Sequence, residues 1–199
     1  MARLLVTGGA GFIGSHVCEL AMARGWKVAV LDNLSSGRRE NVPEAAEFFE
    51  VDLRDAAATS AAVASFSPTL VSHQAAQASV PVSMRDPQLD ADNNVMGGLN
   101  LWSACTTVGV ERLVFASTGG AIYGEVEPGR KAKVGDRELP QSPYAVSKLA
   151  VGSTASEQPL TAIRPRPARQ VASRPSFMTT APRAHPCSRS SFRPSRSAR

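Results

Sequence analysis

The chain has 199 residues with 22 Lys and Arg against 17 Asp and Glu, long enough to bury a core and to form one domain or slightly more. Its three cysteines, Cys18, Cys105 and Cys187, are widely spaced, which excludes a disulfide-stapled miniprotein and a C-x-x-C metal or redox pair and fits a reducing cytoplasm. No apolar run approaches the ~18 residues of a membrane span, and Met1 to Thr7 enters a glycine loop too soon for a signal peptide, so a soluble, cytoplasmic protein is expected.

The net charge of +5 is unevenly placed: residues 1–151 carry a net −3, and residues 152–199 a net +8 from nine Arg against the single acid Glu157. Residues 1–151 are expected to form the folded domain. The last 48 residues add 7 Pro and 9 Ser with little apolar periodicity, too little to offset chain entropy, and are expected to be disordered. Their arginines are interleaved only with Phe177 and Phe192, so no nucleic-acid partner is expected. His16, His73 and His185 have no metal-ligand spacing, and no metal site is expected; His73 reads as a strand residue near the site.

In chain order, short apolar runs at Leu4 to Thr7, Lys27 to Leu31, Glu47 to Val51, Thr69 to Gln74 and Arg112 to Ala116 predict buried strands. Longer segments at Phe12 to Arg24, Asp55 to Ser65 and Asp90 to Val108 have helical spacing, the last with Val95, Leu99, Leu101 and Trp102 toward one side. Strands alternating with helices predict an α/β fold, a doubly wound parallel sheet built from right-handed crossovers.

The first strand ends in Thr7-Gly8-Gly9-Ala10-Gly11-Phe12-Ile13-Gly14. Gly8 permits a tight turn, Gly11 lets the backbone approach a pyrophosphate, and Gly14 lets the helix pack close. The N–H groups of Phe12 and Ile13 at the helix N-terminus would then meet the phosphates. Asp32 ends the second strand about 20 residues on, where a carboxylate accepts both ribose hydroxyls and repels a 2′-phosphate. NAD is therefore expected over NADP, although Arg38 and Arg39 lie nearby. Asp52 and Leu53 would reach the adenine edge, the alternative for Asp52 being a helix N-cap.

Further on, Ser117 and Thr118 follow the fifth strand, and Tyr144 and Lys148 are spaced to share one face of a helix. A lysine cation beside a tyrosine favours its phenolate form, which makes Tyr144 a candidate general base. A hydroxyl from Thr118 or Ser117 could hold the oxygen whose proton is removed.

Together VTGGAGFIGSH (Val6 to His16), LDNLSSGRREN (Leu31 to Asn41), VDLRD (Val51 to Asp55), HQAAQASVPVSMRDP (His73 to Pro87), DNNVMGGLN (Asp92 to Asn100), FASTGGAIYGE (Phe115 to Glu125) and SPYAVSKLA (Ser142 to Ala150) resemble the extended short-chain dehydrogenases/reductases of the NAD-dependent epimerase/dehydratase family. The resemblance runs from Leu4 to about Val151 and is greatest to members that epimerise a UDP-sugar at C4, of the UDP-glucose/UDP-galactose type. It implies a Rossmann-like domain, a tightly held NAD and a UDP-sugar substrate. It implies Tyr144 as base, Lys148 on the nicotinamide ribose, Thr118 on the C4 hydroxyl, and Asn33, Ala75, Asn94 and Ser117 along the cofactor. It also implies a homodimer made by the helices at Asp90 to Val108 and Ser142 to Val151.

Dehydratases of the family place acids after the Ser/Thr position, where this chain has Gly119 and Gly120; epimerase therefore outranks dehydratase, while decarboxylases and reductases share the same Tyr and Lys. Two departures stand out. Ser72 and Gln74 replace apolar residues in the fourth strand, which is expected to weaken its packing. After Val151 the Arg/Pro/Ser segment stands where the family continues the helix and builds a substrate lobe. Most of that lobe is expected to be missing, as in a truncated or frameshifted product, so that a non-catalytic NAD-binding fragment is the alternative to an active epimerase.

Overall fold

The computed structural model describes residues 1–133 and 135–157. The strands are β1 (Arg3–Thr7), β2 (Lys27–Asp32), β3 (Glu47–Glu50), β4 (Leu70–His73) and β5 (Arg112–Phe115). All four pairings are parallel, in the order β3-β2-β1-β4-β5. The order reverses between β1 and β4, and in such sheets ligands bind outside the carboxyl ends of the strands at that reversal.

The helices are α1 (Phe12–Ala23), α2 (Ala56–Phe66), α3 (Val80–Arg85), α4 (Pro87–Ala91), α5 (Gly97–Val108) and α6 (Pro143–Glu157). Because strand side chains alternate in direction, β1 and β2 contribute to two separate clusters. Leu5, Ala29 and Leu31 pack with Val63, Phe66, Leu101 and Cys105 from α2 and α5. Leu4, Val6, Val28 and Val30 pack with Ala10, Cys18 and Ala21. The near-continuous apolar runs of β1 and β2 are thus explained by burial on both faces. Cys18 and Cys105 are free and buried, and burial pushes each thiol up to about 12. Among the described residues no helix is long and apolar enough to cross a membrane.

The predicted strands and the first two predicted helices agree with these elements to within one or two residues at each end. The predicted helix at Asp90 to Val108 does not form as one piece. Ser79 caps α3 through the Val82 N–H at 3.4 Å, with Pro81 in its first turn, and Asp86 caps α4 through the Leu89 N–H at 2.9 Å, with Pro87 in its first turn. A π turn over Asp92–Met96 then joins α4 to α5. The extra residue rotates the apolar face: Gly97, Gly98, Leu101, Ala104 and Cys105 are buried, whereas Leu99 is 38% exposed.

Two further departures from expectation have simple causes. Ser72 is buried, but its hydroxyl accepts the Gln74 side-chain amide at 2.9 Å, so the polar pair satisfies itself. The last helix continues past Val151 to Glu157, since Gly152 meets only ordinary contact with the Phe115 ring and Ser, Thr and Ala tolerate helix. Residues 158–199, including Cys187, His185 and most of the expected disordered segment, lie outside the described residues.

Phe66 has no exposed surface, and its ring supports the Arg3 guanidinium at 4.6 Å. Phe66→Ala should lower the unfolding free energy by about 3–5 kcal/mol in urea denaturation, with the transition still cooperative; a loss under about 1 kcal/mol would mean that this core is not packed as described.

Candidate active site

The turn from β1 into α1 closes without side chains. Gly8 has φ +69°, and a Cβ there would lie 2.6 Å from the Ala75 nitrogen at the end of β4; one on Gly14 would run into the Gly8 carbonyl and lie 2.7 Å from the Gly9 Cα. Both glycines are therefore needed for backbone approach. Gly9, which the sequence reading passed over, backs onto Val30 of β2, whose methyl groups would stand 2.7 Å from a Cβ. Beyond Gly11, α1 begins with neither a side-chain cap nor an acid in its first turn, so its leading N–H groups at Phe12 and Ile13 are left for an external acceptor. The side chains of Phe12 and Ile13 are 80% and 62% exposed and flank this end.

Asp32 is buried at the end of β2. Its Oδ2 accepts the Ala10 N–H at 3.0 Å, and its Oδ1 the Leu34 N–H at 2.8 Å. The first bond fixes the glycine loop to β2. The second holds Leu34 at φ +56°, a conformation non-glycine residues rarely adopt. A carboxylate offers about four acceptor positions, so about two remain for hydroxyls of a ligand.

A cleft of about 540 Å³ opens beside this turn, lined among others by Gly8, Asp32, Asn33, Asp52, Leu53 and Ala75. Asn33 donates to Asp52 at 3.0 Å, and Arg54 forms an ion pair with Asp52 at 2.7 Å. Hydrogen bonds from Arg54 hold the Asp52 carboxyl well below the usual carboxylate range. Asp52 does not cap α2; Asp55 does, accepting the Ala58 N–H at 2.9 Å. The opposite wall is the strap 75–79. Asn94 holds it: its Oδ1 accepts the Gln77 N–H at 2.9 Å, and its Nδ2 donates to the Gln77 carbonyl at 2.9 Å. Asn94 therefore shapes the wall, and Asn93 lines it.

The expected catalytic group lies apart from this cleft, at β5 and α6. Tyr144 stands in the first turn of α6 and Lys148 one turn later. Lys148 is buried; its Nζ donates to the Ala116 carbonyl at 2.9 Å and sits 4.7 Å from the Phe115 ring centre. Burial lowers its pKa to about 8, against the opposing pull of Asp90. Ala116 directly precedes Ser117 and Thr118, so this bond joins the Tyr–Lys helix to the Ser–Thr strand end. Next to it, the Nδ1 of His73 is 2.6 Å from the Thr7 hydroxyl, and burial followed by the Lys148 charge lowers the imidazole to about 3. His73 is thus a neutral strand residue. Among the described residues no cluster of His, Cys, Asp or Glu could hold a metal ion.

A family model described as the NAD dependent epimerase/dehydratase family matches residues 4–158. The chain belongs to that family. The UDP-glucose 4-epimerase of Mycolicibacterium smegmatis is 42% identical over 153 residues, covering 74% of this chain and 48% of that protein. The structure of Thermus thermophilus UDP-glucose 4-epimerase in complex with NAD matches at a TM-score of 0.77 and 60% identity, over 78% of this chain and 50% of that one. The Thermotoga maritima UDP-glucose 4-epimerase with UDP-glucose matches at 0.75 and 41%, over the same shares. The chain spans about half the length of the relatives it matches. The family is NAD-dependent, and the residues here suit that cofactor: a Cβ-free turn, an uncapped helix start, and an acid with acceptor positions to spare.

Two residues carry more of this site than their sequence signals suggested. Gln77 sits in a stretch with no helical or strand pattern, and Asp90 resembles a surface helix acid until its neighbours are known.

His73 supplies a pH test. A folded value near 3 against an ordinary 6.5 means that the unfolded chain binds the extra proton, so this group's contribution to stability is present above about 6.5 and lost as pH falls toward 3. His73→Gln should be less stable than the wild type at pH 8, and the gap should narrow by up to about 1.4 kcal/mol per pH unit below pH 6.5; a gap constant with pH would contradict a buried neutral imidazole.

Proposed function

We propose that this chain carries the cofactor-binding and base-bearing part of a UDP-sugar 4-epimerase acting on the UDP-glucose/UDP-galactose pair in the cytoplasm. The observation that carries the reading is that the Gly8–Asp32 cleft and the Lys148-anchored end of α6 both stand at the carboxyl ends of the parallel strands. Free, buried Cys18 and Cys105 accord with a reducing compartment.

In this reading Gly8, Gly11 and Gly14 open the backbone to the pyrophosphate, and the N–H groups of Phe12 and Ile13 donate to it. Asp32 accepts the ribose hydroxyls, with Asn33, Asp52, Leu53 and Ala75 around the adenosine end and Asn94 behind the strap. NAD, when bound, supplies a reversible two-electron acceptor for the sugar's C4. Tyr144 takes the proton from the C4 hydroxyl oxygen and later returns it. Thr118, with Ser117 beside it, donates to or accepts from that oxygen and holds it toward Tyr144. Lys148 has three donors and spends one on Ala116, leaving others for the nicotinamide ribose. A Cβ at Gly119 or Gly120 would meet nothing within 4 Å. An acid would fit there and none is present, which favours epimerisation over loss of water. Orientation of the sugar supplies much of the barrier reduction in such reactions.

The test has two arms. Purified chain should bind NAD more tightly than NADP, and Asp32→Ala should weaken NAD and narrow that gap; equal binding of both by the wild type would remove the role of Asp32. Assayed with UDP-glucose and UDP-galactose in a form completed with a family substrate lobe, Tyr144→Phe should lose about 10² to 10⁴ in rate with NAD binding unchanged. Full activity in that variant would overturn the mechanism, and NAD binding with no turnover in the completed wild type would select a non-catalytic NAD-binding role.

A further inference from the structure

Among the described residues one carboxylate, Asp90, has no exposed surface at all. It belongs to α4, and each of its oxygens is committed. Oδ1 accepts the Gln77 Nε2 at 2.9 Å and the Asn94 Nδ2 at 3.0 Å, and Oδ2 accepts the Ser147 hydroxyl. These donors come from three separate parts of the chain: the strap that walls the cleft, the π turn, and α6.

All three donors are neutral. Lys148 is the residue after Ser147, which donates to Asp90, and so brings a cation to the neighbourhood of the carboxylate without a direct ion pair to it. Lys148 contacts the Phe115 ring and the Ala116 carbonyl at the end of β5, with the neutral His73 of β4 and the Asp90 carboxylate of α4 near enough to act on it through their surroundings and Tyr144 one turn earlier on its own helix. The Asp90 carboxylate is the one anion of that set.

We propose that Asp90 is the positioning residue of this site, tying the cleft wall to α6 and supplying the counter-charge of the Lys148 ammonium. The inference rests on the reading of Tyr144 and Lys148 as the reacting pair, with NAD in the cleft. It explains how the cleft wall and α6 are held in one register.

The test uses the 199-residue chain and two readouts. One is the pH midpoint for acetylation of Lys148 by acetic anhydride, followed by peptide mass spectrometry, which needs no cofactor; the other is NAD affinity by calorimetry. Asp90→Asn keeps the shape and removes the charge. It should lower the Lys148 midpoint by about one pH unit or more and weaken NAD about tenfold. Ser147→Ala cuts the tie and leaves the charge; it should weaken NAD about threefold without lowering the midpoint. A merely structural role for Asp90 would loosen both variants alike and would not separate their midpoints. The proposal is overturned if Asp90→Asn leaves the midpoint and the affinity at wild-type values. Should Asp90→Asn fail to fold, Ser147→Ala decides: unchanged NAD affinity together with unchanged amide exchange along α6 overturns the tie. A wild type that binds no NAD would sink the cofactor reading alone, and the Lys148 midpoint would still judge Asp90.

Discussion

Everything at the carboxyl edge of the sheet depends on backbone lying against backbone at the β1–α1 turn, where Gly8 comes up to the Ala75 nitrogen and Gly14 to the Gly8 carbonyl with no Cβ between them. The turn is then locked from the other side, since the Gly8 N–H donates to the Leu31 carbonyl at 2.9 Å and the Ala10 N–H to Asp32. With β1, β2 and β4 drawn together at one point, the adjoining cleft has walls from each of them. A side chain at either glycine would push α1 off the sheet and alter the cleft, the Asp32 carboxylate and the exposed helix start together.

Polar groups do the comparable work on the far side. Asp32, Asn94 and Asp90 each join segments distant in sequence through neutral hydrogen-bonding groups: backbone for Asp32 and Asn94, and side-chain amides and the Ser147 hydroxyl for Asp90. Buried polar networks of this kind are stabilising only when complete, because every unsatisfied member costs about 1–3 kcal/mol. The same desolvation that makes them demanding also sets the protonation of His73 and Lys148, which lie side by side. One is kept neutral, and the other retains its charge over most of the neutral range.

β1 and β2 were legible because burial on both faces leaves an unmistakable apolar run, and Gly8, Gly14 and Asp32 because their spacing reflects a single rigid turn. The stretch from Val80 to Met96 was not. Its Ser79 and Asp86 caps and its prolines were in plain view, but a helical period reads straight through short helices and through a π turn, so Leu99 and Leu101 were placed toward one side although only Leu101 is buried. Asp90 was illegible for a different reason: an acid in a helix is usually solvated, and only the arrival of Gln77 and Ser147 from elsewhere in the chain identifies it as interior. The Tyr144–Lys148 spacing was clear, yet nothing local indicated that the lysine would be fastened to the Ala116 carbonyl.

The sheet order has a consequence for how the chain is made. β1 is the central strand and is made before both its partners; β2 follows within about 20 residues, but β4 pairs Leu70 with Leu4. Until β4 emerges, the edge carrying Leu4, Leu5 and Val6 is open along one side, and such unpaired apolar edges invite association with other chains. Loop closure over that distance makes the β1–β4 seam a late event in synthesis. The nascent chain therefore passes through a period in which its central strand is only half covered, a natural point of engagement for holding chaperones.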